Sequence, residues 1–299
     1  MTNSPVIDPI RIVNARYQYR RFIDKCSASN GLFRLTPNAD SSSYALCFAI
    51  FGYRLLCAQD VIDENQLAWD RCLRSELEVQ RHARQRYGPL SRDKPYLQLL
   101  TFTLSALSIL GTLHLEPLDE EVCILLPDNI KSALTDARAL NGDPRSGNQA
   151  MFIAVLLIYA RDYLKLDTQP DLDMWVALHQ KSINRFGFWG NSRTPSYLQF
   201  QNGYHQYEIF QYLEPADIPW EIASATVASL ADRDGHFAPY PGGGGCYDYD
   251  AVFILTTKYQ ISLRYRSLLE RTFNSILLDQ NPDGGFCESR SVSYTHLTL

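Results

Sequence analysis

Several things are scarce or missing in this sequence, and each absence removes a class of protein. No apolar run approaches the roughly 18 residues that a membrane-spanning helix needs; the longest, "MFIAVLLIYA" at 151–160, suits a buried helix. There is no surplus of positive charge. With 28 Lys and Arg against 33 Asp and Glu, a net charge of −5 gives no general attraction to nucleic acid or to anionic lipid. Cysteines number seven, an odd count without paired spacing, and several lie inside helical patterns where Cys behaves as a small hydrophobe. That usage implies a reduced compartment, and "MTNSPVIDPIRIVNARYQYRRF" lacks the basic-then-apolar order of a secretion signal. A cytoplasmic location is the expectation.

Aromatic residues are plentiful. The 18 Tyr and 14 Phe exceed what core filling usually demands and hint at an aromatic-lined cavity. More telling is a recurring mark in which Gly precedes an aromatic or apolar residue between two helix-like runs. It appears as "SNGLFRLTP" (29–37), "RYGPLSRDKPY" (86–96), "RFGFWGNS" (185–192), "RDGHFAPY" (233–240) and "PDGGFCES" (282–289), with a sixth, weaker mark in "LNGDPRSGN". The glycines are Gly31, Gly88, Gly142, Gly187, Gly235 and Gly284, separated by 45 to 57 residues. So regular a spacing signals a repeat of helix pairs.

Two kinds of helix alternate between the marks. "ENQLAWDRCLRSELEVQRHARQ" (64–85) and "ISLRYRSLLERTFNSILLDQ" (261–280) are charged and amphipathic, as on a surface. The runs 43–56, 96–111, 148–164, 197–213 and 246–259 are apolar on most sides, as buried helices are. Alternating outer and inner helices predict an all-α fold, an (α/α)6 toroid, with an open solenoid as the competing arrangement. The inner runs are more apolar than a solenoid's wet concave face requires. Residues 1–290 then form a single toroid domain of helix-pair repeats. "SYTHLTL" within residues 291–299 reads as translated sequencing adapter, a foreign tail, so the toroid is expected to be truncated by one inner helix.

"LLDQNPDGGFCES" resembles the QW repeat of the terpenoid cyclase and protein prenyltransferase toroids. Gln280, Gly284 and Phe286 occupy the places of the family's Gln, Gly and aromatic residue. The resemblance implies an α-α toroid in which this turn is structural. Two catalytic motifs of those families can be set against "GGCYDYDAVFIL". Gly244 stands where the prenyltransferase zinc site has its Asp, and Asp248-Tyr249-Asp250 is followed by Ala251 where the cyclase motif has a further Asp. Neither activity transfers on these residues.

In a toroid every inner helix begins at the same rim, so its first residues converge on one mouth. Those starts are polar: Ser41–Ser43, Asp93, Arg145 with Asn148 and Gln149, and Cys246 with Asp248. "QNGYHQYEIF" adds Asn202, Tyr204, His205, Gln206 and Glu208, expected to form one polar stripe facing the cavity. Either a wet, ligand-filled interior or a satisfied network fixing helix register accounts for them. On a helix starting near Cys246, Cys246 and Asp250 share a face, while Asp248 lies in the first turn, where it could serve the free N–H groups and the dipole. The candidate catalytic residues are Asp250, Asp248, His205, Glu208 and Tyr204. Those for substrate binding are Asn202, Gln206, Arg145, Asn148 and the loop residue His236. Cys246, Asp250 and His205 have donors suited to zinc, the one metal considered, though without close ligand spacing.

The favoured function is an enzyme of the terpenoid-cyclase and prenyltransferase-like class, with Asp250 or Asp248 as proton donor in a polar, aromatic-lined central cavity. The alternatives are a carbohydrate-active lyase using Tyr204 and His205, a hydrolase using Glu208 and Asp250, and a non-catalytic binding toroid. The partner is a small molecule, glycan or isoprenoid in the cavity.

Overall fold

A computed structural model describes residues 8–143, 146–190, 193 and 195–288. Among these, helices dominate, joined by one two-stranded antiparallel ladder pairing β1 (Phe33–Arg34) with β2 (Ser41–Ser42). The five apolar runs all fall on helices: α2 (Ser43–Leu55), α4 (Lys94–Leu110), α7 (Gly147–Asp162), α9 (Tyr197–Leu213) and α11 (Cys246–Thr256). They pack in order, α2 on α4, α4 on α7, α7 on α9 and α9 on α11. Before, between and after them lie α1 (Pro9–Lys25), α3 (Gln59–Gln85), the short α5 (Asp119–Cys123) and α6 (Ile130–Asp136), α8 (Gln169–Ser182), α10 (Trp220–Ser229), α12 (Tyr259–Arg264) and α13 (Arg266–Leu278). No helix of the described residues is long and apolar enough to cross a membrane.

Local chemistry explains where several inner helices start. Ser42 accepts from the N–H of Ala45, Asp93 from Tyr96 and Ser196 from Gln199, each meeting a donor that the first helical turn leaves free. The polar starts read as a cavity mouth are therefore, at Ser42 and Asp93, helix caps; Asp93 also pairs with Arg84 at 3.0 Å. A cap and a rim contact demand the same residue types, so sequence cannot separate them.

The Gly marks have a common physical basis. In four of them the N–H of one residue donates to the carbonyl four positions on, and the Gly N–H donates back to the first residue. The pairs are Ala28 with Leu32 and Gly31, Asn184 with Phe188 and Gly187, Asp232 with His236 and Gly235, and Asn281 with Gly285 and Gly284. The glycines have φ between +80° and +100°, the left-handed region that other residues occupy only with strain. Gly88 and Gly142 lie outside this pattern: Gly88 has φ +151° with open space about it, and Gly142 is pressed against the Trp189 backbone.

Three of these turns press on the backbone of a neighbouring helix, while Gly31 meets only the Cys72 sulfur of α3 at 3.9 Å. A side chain at Gly187 would meet Ala223 of α10, one at Gly235 would meet Thr272 of α13, and one at Gly284 would meet the backbone of Gln18. Gln18 belongs to α1, so the turn after the last described helix lies on the first. Gln280 joins the two by donating to the carbonyls of Ala15 and Gly284, and Phe286 packs edge-on to Tyr19 at 5.8 Å.

The core is continuous through α7, which contributes Phe152 and Leu156 to one group of buried side chains and Ala154 and Leu157 to the next. Helices α7 and α9 approach so closely at Gly147 that a β-carbon there would fall 2.8 Å from the Asn202 Cα. Around α8, Trp175 donates to Ala150 O and Trp189 to His179 O, both at 3.0 Å. His179, which its sequence context places on a helix surface, is wholly buried against the Trp175 ring, and burial lowers its pKa to about 4.

Gly187→Ala and Gly284→Ala should each cost about 1–3 kcal/mol, because both add left-handed strain and push a backbone apart. Urea unfolding of the two variants measures this. A Gly284→Ala protein as stable as the parent would show that the final turn does not bear on α1.

Candidate functional site

The run "PGGGGCYDYD" is built for close packing. Gly244 has no room for a side chain, since a β-carbon would strike the Asp248 carboxyl and come within 2.9 Å of His236 Nδ1. Gly245, at φ +59° and ψ −127°, occupies the position before α11, and no side chain caps that helix. Bare backbone lets the chain cross over a buried carboxylate and then turn into the helix.

That carboxylate belongs to Asp248. One oxygen meets His236 Nδ1 at 2.7 Å and the other accepts from the Phe237 N–H at 3.0 Å. His236 Nε2 in turn lies 3.6 Å from Asp279, the residue that ends α13. His236 and Asp248 are 4% and 2% exposed, so this Asp-His-Asp row ties the 232–236 turn, the start of α11 and the end of α13 together inside the protein. His236, expected as a binding residue on a loop, is buried in this row. Asp248 lies in the first turn of α11 as expected, but it gives its oxygens to His236 and Phe237 and caps no N–H of its own helix. Both are spent on the lock.

A different group forms where α9 meets α11. Tyr204 is buried, its ring edge-on to Tyr249 at 5.8 Å and to Phe253 at 5.3 Å. Burial and the neighbouring Glu208 raise the Tyr204 pKa far above that of an ordinary phenol, so it remains an O–H. His205 Nδ1 stands 3.7 Å from Glu208 and makes no hydrogen bond. Asp250 is 4% exposed and no described residue gives its carboxyl a hydrogen bond. Burial, then the charge of Glu208, raises its pKa well above the ordinary 3.8. Tyr249, 62% exposed, forms the outer lip and is a member that the sequence reading passed over. Its position three residues after Cys246, on the same helical face, was the available signal.

The expected polar stripe divides in two. Positions 202 and 206 lie about 40° apart on a helical wheel, but 206 and 208 lie about 160° apart. Asn202 donates to Leu198 O of its own helix, and the Gln206 amide faces the backbone of Asn202, Gly203 and Gly147. Both belong to the tight α7–α9 seam, where only a small cavity of about 10 Å³ lies beside them. Asn148 is half-buried on α7, and Arg145 lies outside the described residues.

Cys246 is exposed and receives a hydrogen bond of 3.8 Å from Gln201. Burial of its sulfur and the Asp250 charge raise its pKa, the reverse of what activates a thiolate. The expected zinc set of Cys246, Asp250 and His205 does not assemble: among the described residues no three His, Cys, Asp or Glu come together to hold a metal. His205 lies toward Glu208 instead.

No protein-family model, no curated protein and no solved structure matches the chain.

Two pH responses of opposite origin follow. The native His236 binds its proton more tightly than a free histidine, mainly through Asp248, so its contribution is full below pH 6.5 and lost as pH rises through the raised native value. Urea midpoints between pH 6 and 9 should fall in the parent and fall less in His236→Gln. Asp250, with a raised carboxyl pKa, withdraws stability as pH climbs above the ordinary 3.8. Asp250→Asn should therefore melt higher than the parent at pH 8, and by less at pH 5. An unchanged melting temperature at both values would show that the carboxyl is not buried uncompensated.

Proposed function

We propose that the chain is built as an (α/α)6 toroid and acts as an acid–base enzyme at the meeting of α9 and α11, with Asp250 as general acid. Closure into a ring is supported by the succession of Gly turns, three of which press on a further helix, the last of them on α1. The five inner helices then line a common lumen.

The observation that carries the activity is the Asp250 carboxyl. It is buried, receives no hydrogen bond from a described residue, and burial with the charge of Glu208 raises its pKa well above the ordinary carboxyl value. A carboxyl raised by burial beside a second carboxyl is an arrangement that can supply an acid and its partner. A raised pKa makes the carboxyl a weaker acid that keeps its proton to higher pH, which suits a substrate oxygen that shares the proton in the transition state. Glycosidic oxygens are of that kind, with Glu208 as base or nucleophile. Neither α9 nor α11 contains Lys or Arg. A phosphorylated or carboxylated substrate would find no cation on these helices, so a neutral one fits.

A second reading, an isoprenoid cyclase in which Asp250 protonates an alkene, is favoured by the rings of Tyr204, Tyr249 and Phe253, whose faces can stabilise a cation. The stronger acid that an alkene requires weighs against it.

Turnover of neutral oligosaccharides and of a linear polyene, followed by product analysis, separates the two. In either case Asp250→Asn should lower kcat/KM by roughly 10²- to 10⁴-fold. Activity of the parent should decline as pH rises through the Asp250 pKa, and that decline should vanish in the variant's residual rate. Full activity in Asp250→Asn would make the carboxyl a structural group only.

A further inference from the structure

The geometry points to a second binding site, for a compact organic cation of the alkylammonium type, where α7 and α9 end against α8. A groove of about 440 Å³ opens there, remote in sequence from the α11 residues of the proposed active site. Its apolar floor is Val176, Ala177, Leu213 and Pro215, with Tyr212 and Asp173 on its walls.

Three features select the ligand's charge. Arg161 is the only cationic residue of the lining, and Asp162 already matches it through contacts of 2.7 and 3.1 Å. Asp173, exposed, has no such counter-ion among the described residues: one of its oxygens accepts from Gln169 at 2.7 Å, whose own oxygen accepts from Arg161 at 2.8 Å. The third feature is the end of α9. Its last carbonyls, those of Gln211, Tyr212 and Leu213, receive no hydrogen bond from a described residue, and Pro215 has no N–H to offer. Such carbonyls carry the negative end of the helix dipole and favour a cation.

The remaining polar hydrogens of the wall are largely committed. Tyr212 donates its O–H to Asp162 at 2.7 Å, and Gln180 donates to Ala216 O at 2.7 Å. The groove is thus lined by the Asp173 carboxylate, by the end of α9 at Tyr212 and Leu213, and by an exposed phenol ring over an apolar floor. An ammonium head satisfies the oxygens and can lie against the ring, while its methylene chain covers the floor.

Isothermal titration with spermidine tests this, using 1,4-butanediol as an uncharged control. Saturable binding of spermidine alone is expected, weakened roughly tenfold by Asp173→Asn, which removes a charge-assisted contact but keeps an acceptor for Gln169. Asp60→Asn, which removes the same charge on the far helix α3, should change the affinity less than about twofold. Thermal melts and circular dichroism establish that each variant is folded. Absence of saturable binding overturns the proposal, as does equal weakening by the two variants, which would reveal only a general attraction to an acidic protein.

Discussion

The structure depends on a small constraint repeated along the chain: a turn closed by two backbone hydrogen bonds, with a left-handed glycine that must lie flat against a neighbouring helix. At Gly187, Gly235 and Gly284 the glycine's missing β-carbon is where the next helix's backbone passes, so the turn fixes both the end of one helix and its distance from the next. Helix packing then follows from which faces are apolar. The five apolar helices supply the greasy faces, and the intervening helices cover them.

The helix periods and the Gly marks were legible because both are local. A period of 3.6 with most faces apolar, interrupted at Gly31, Gly187, Gly235 and Gly284, leaves little else for the chain to be. The uses of individual polar residues were far less legible. Asp248 and Asp250 sit two residues apart in the same tetrapeptide, yet one is saturated by His236 and Phe237 while the other has no donor. Nothing in the order of residues tells which carboxylate will meet a histidine from a preceding turn. His179 makes the same point in reverse: its sequence context suggests a surface, but two tryptophans enclose it.

The division of the α9 stripe shows where helical-wheel reasoning must be carried through to its end. Asn202 and Gln206 were grouped with His205 and Glu208 because all four are polar and near in sequence. The angle between positions 206 and 208 is nearly half a turn, so one pair had to enter the seam with α7 if the other faced α11. The Gly147 contact chose which. Polar side chains in that seam satisfy backbone carbonyls at a crossing too close for bulkier groups.

That crossing has a mechanical consequence. With the peptide planes of α7 and α9 almost touching, these two helices can neither slide nor rotate past one another without collision, and they behave as one rigid beam. The α11 helix is different. It enters through a run of four glycines, its first turn is tied by Asp248 to His236, and its Ala251, Ile254 and Leu255 are buried in the core shared with α9 and α10. The glycines of that entry are themselves tied down, Gly243 to Tyr240 and Ala238 and Gly244 to Glu288, so the helix is anchored at its start by bare backbone where a side chain would have pushed it away.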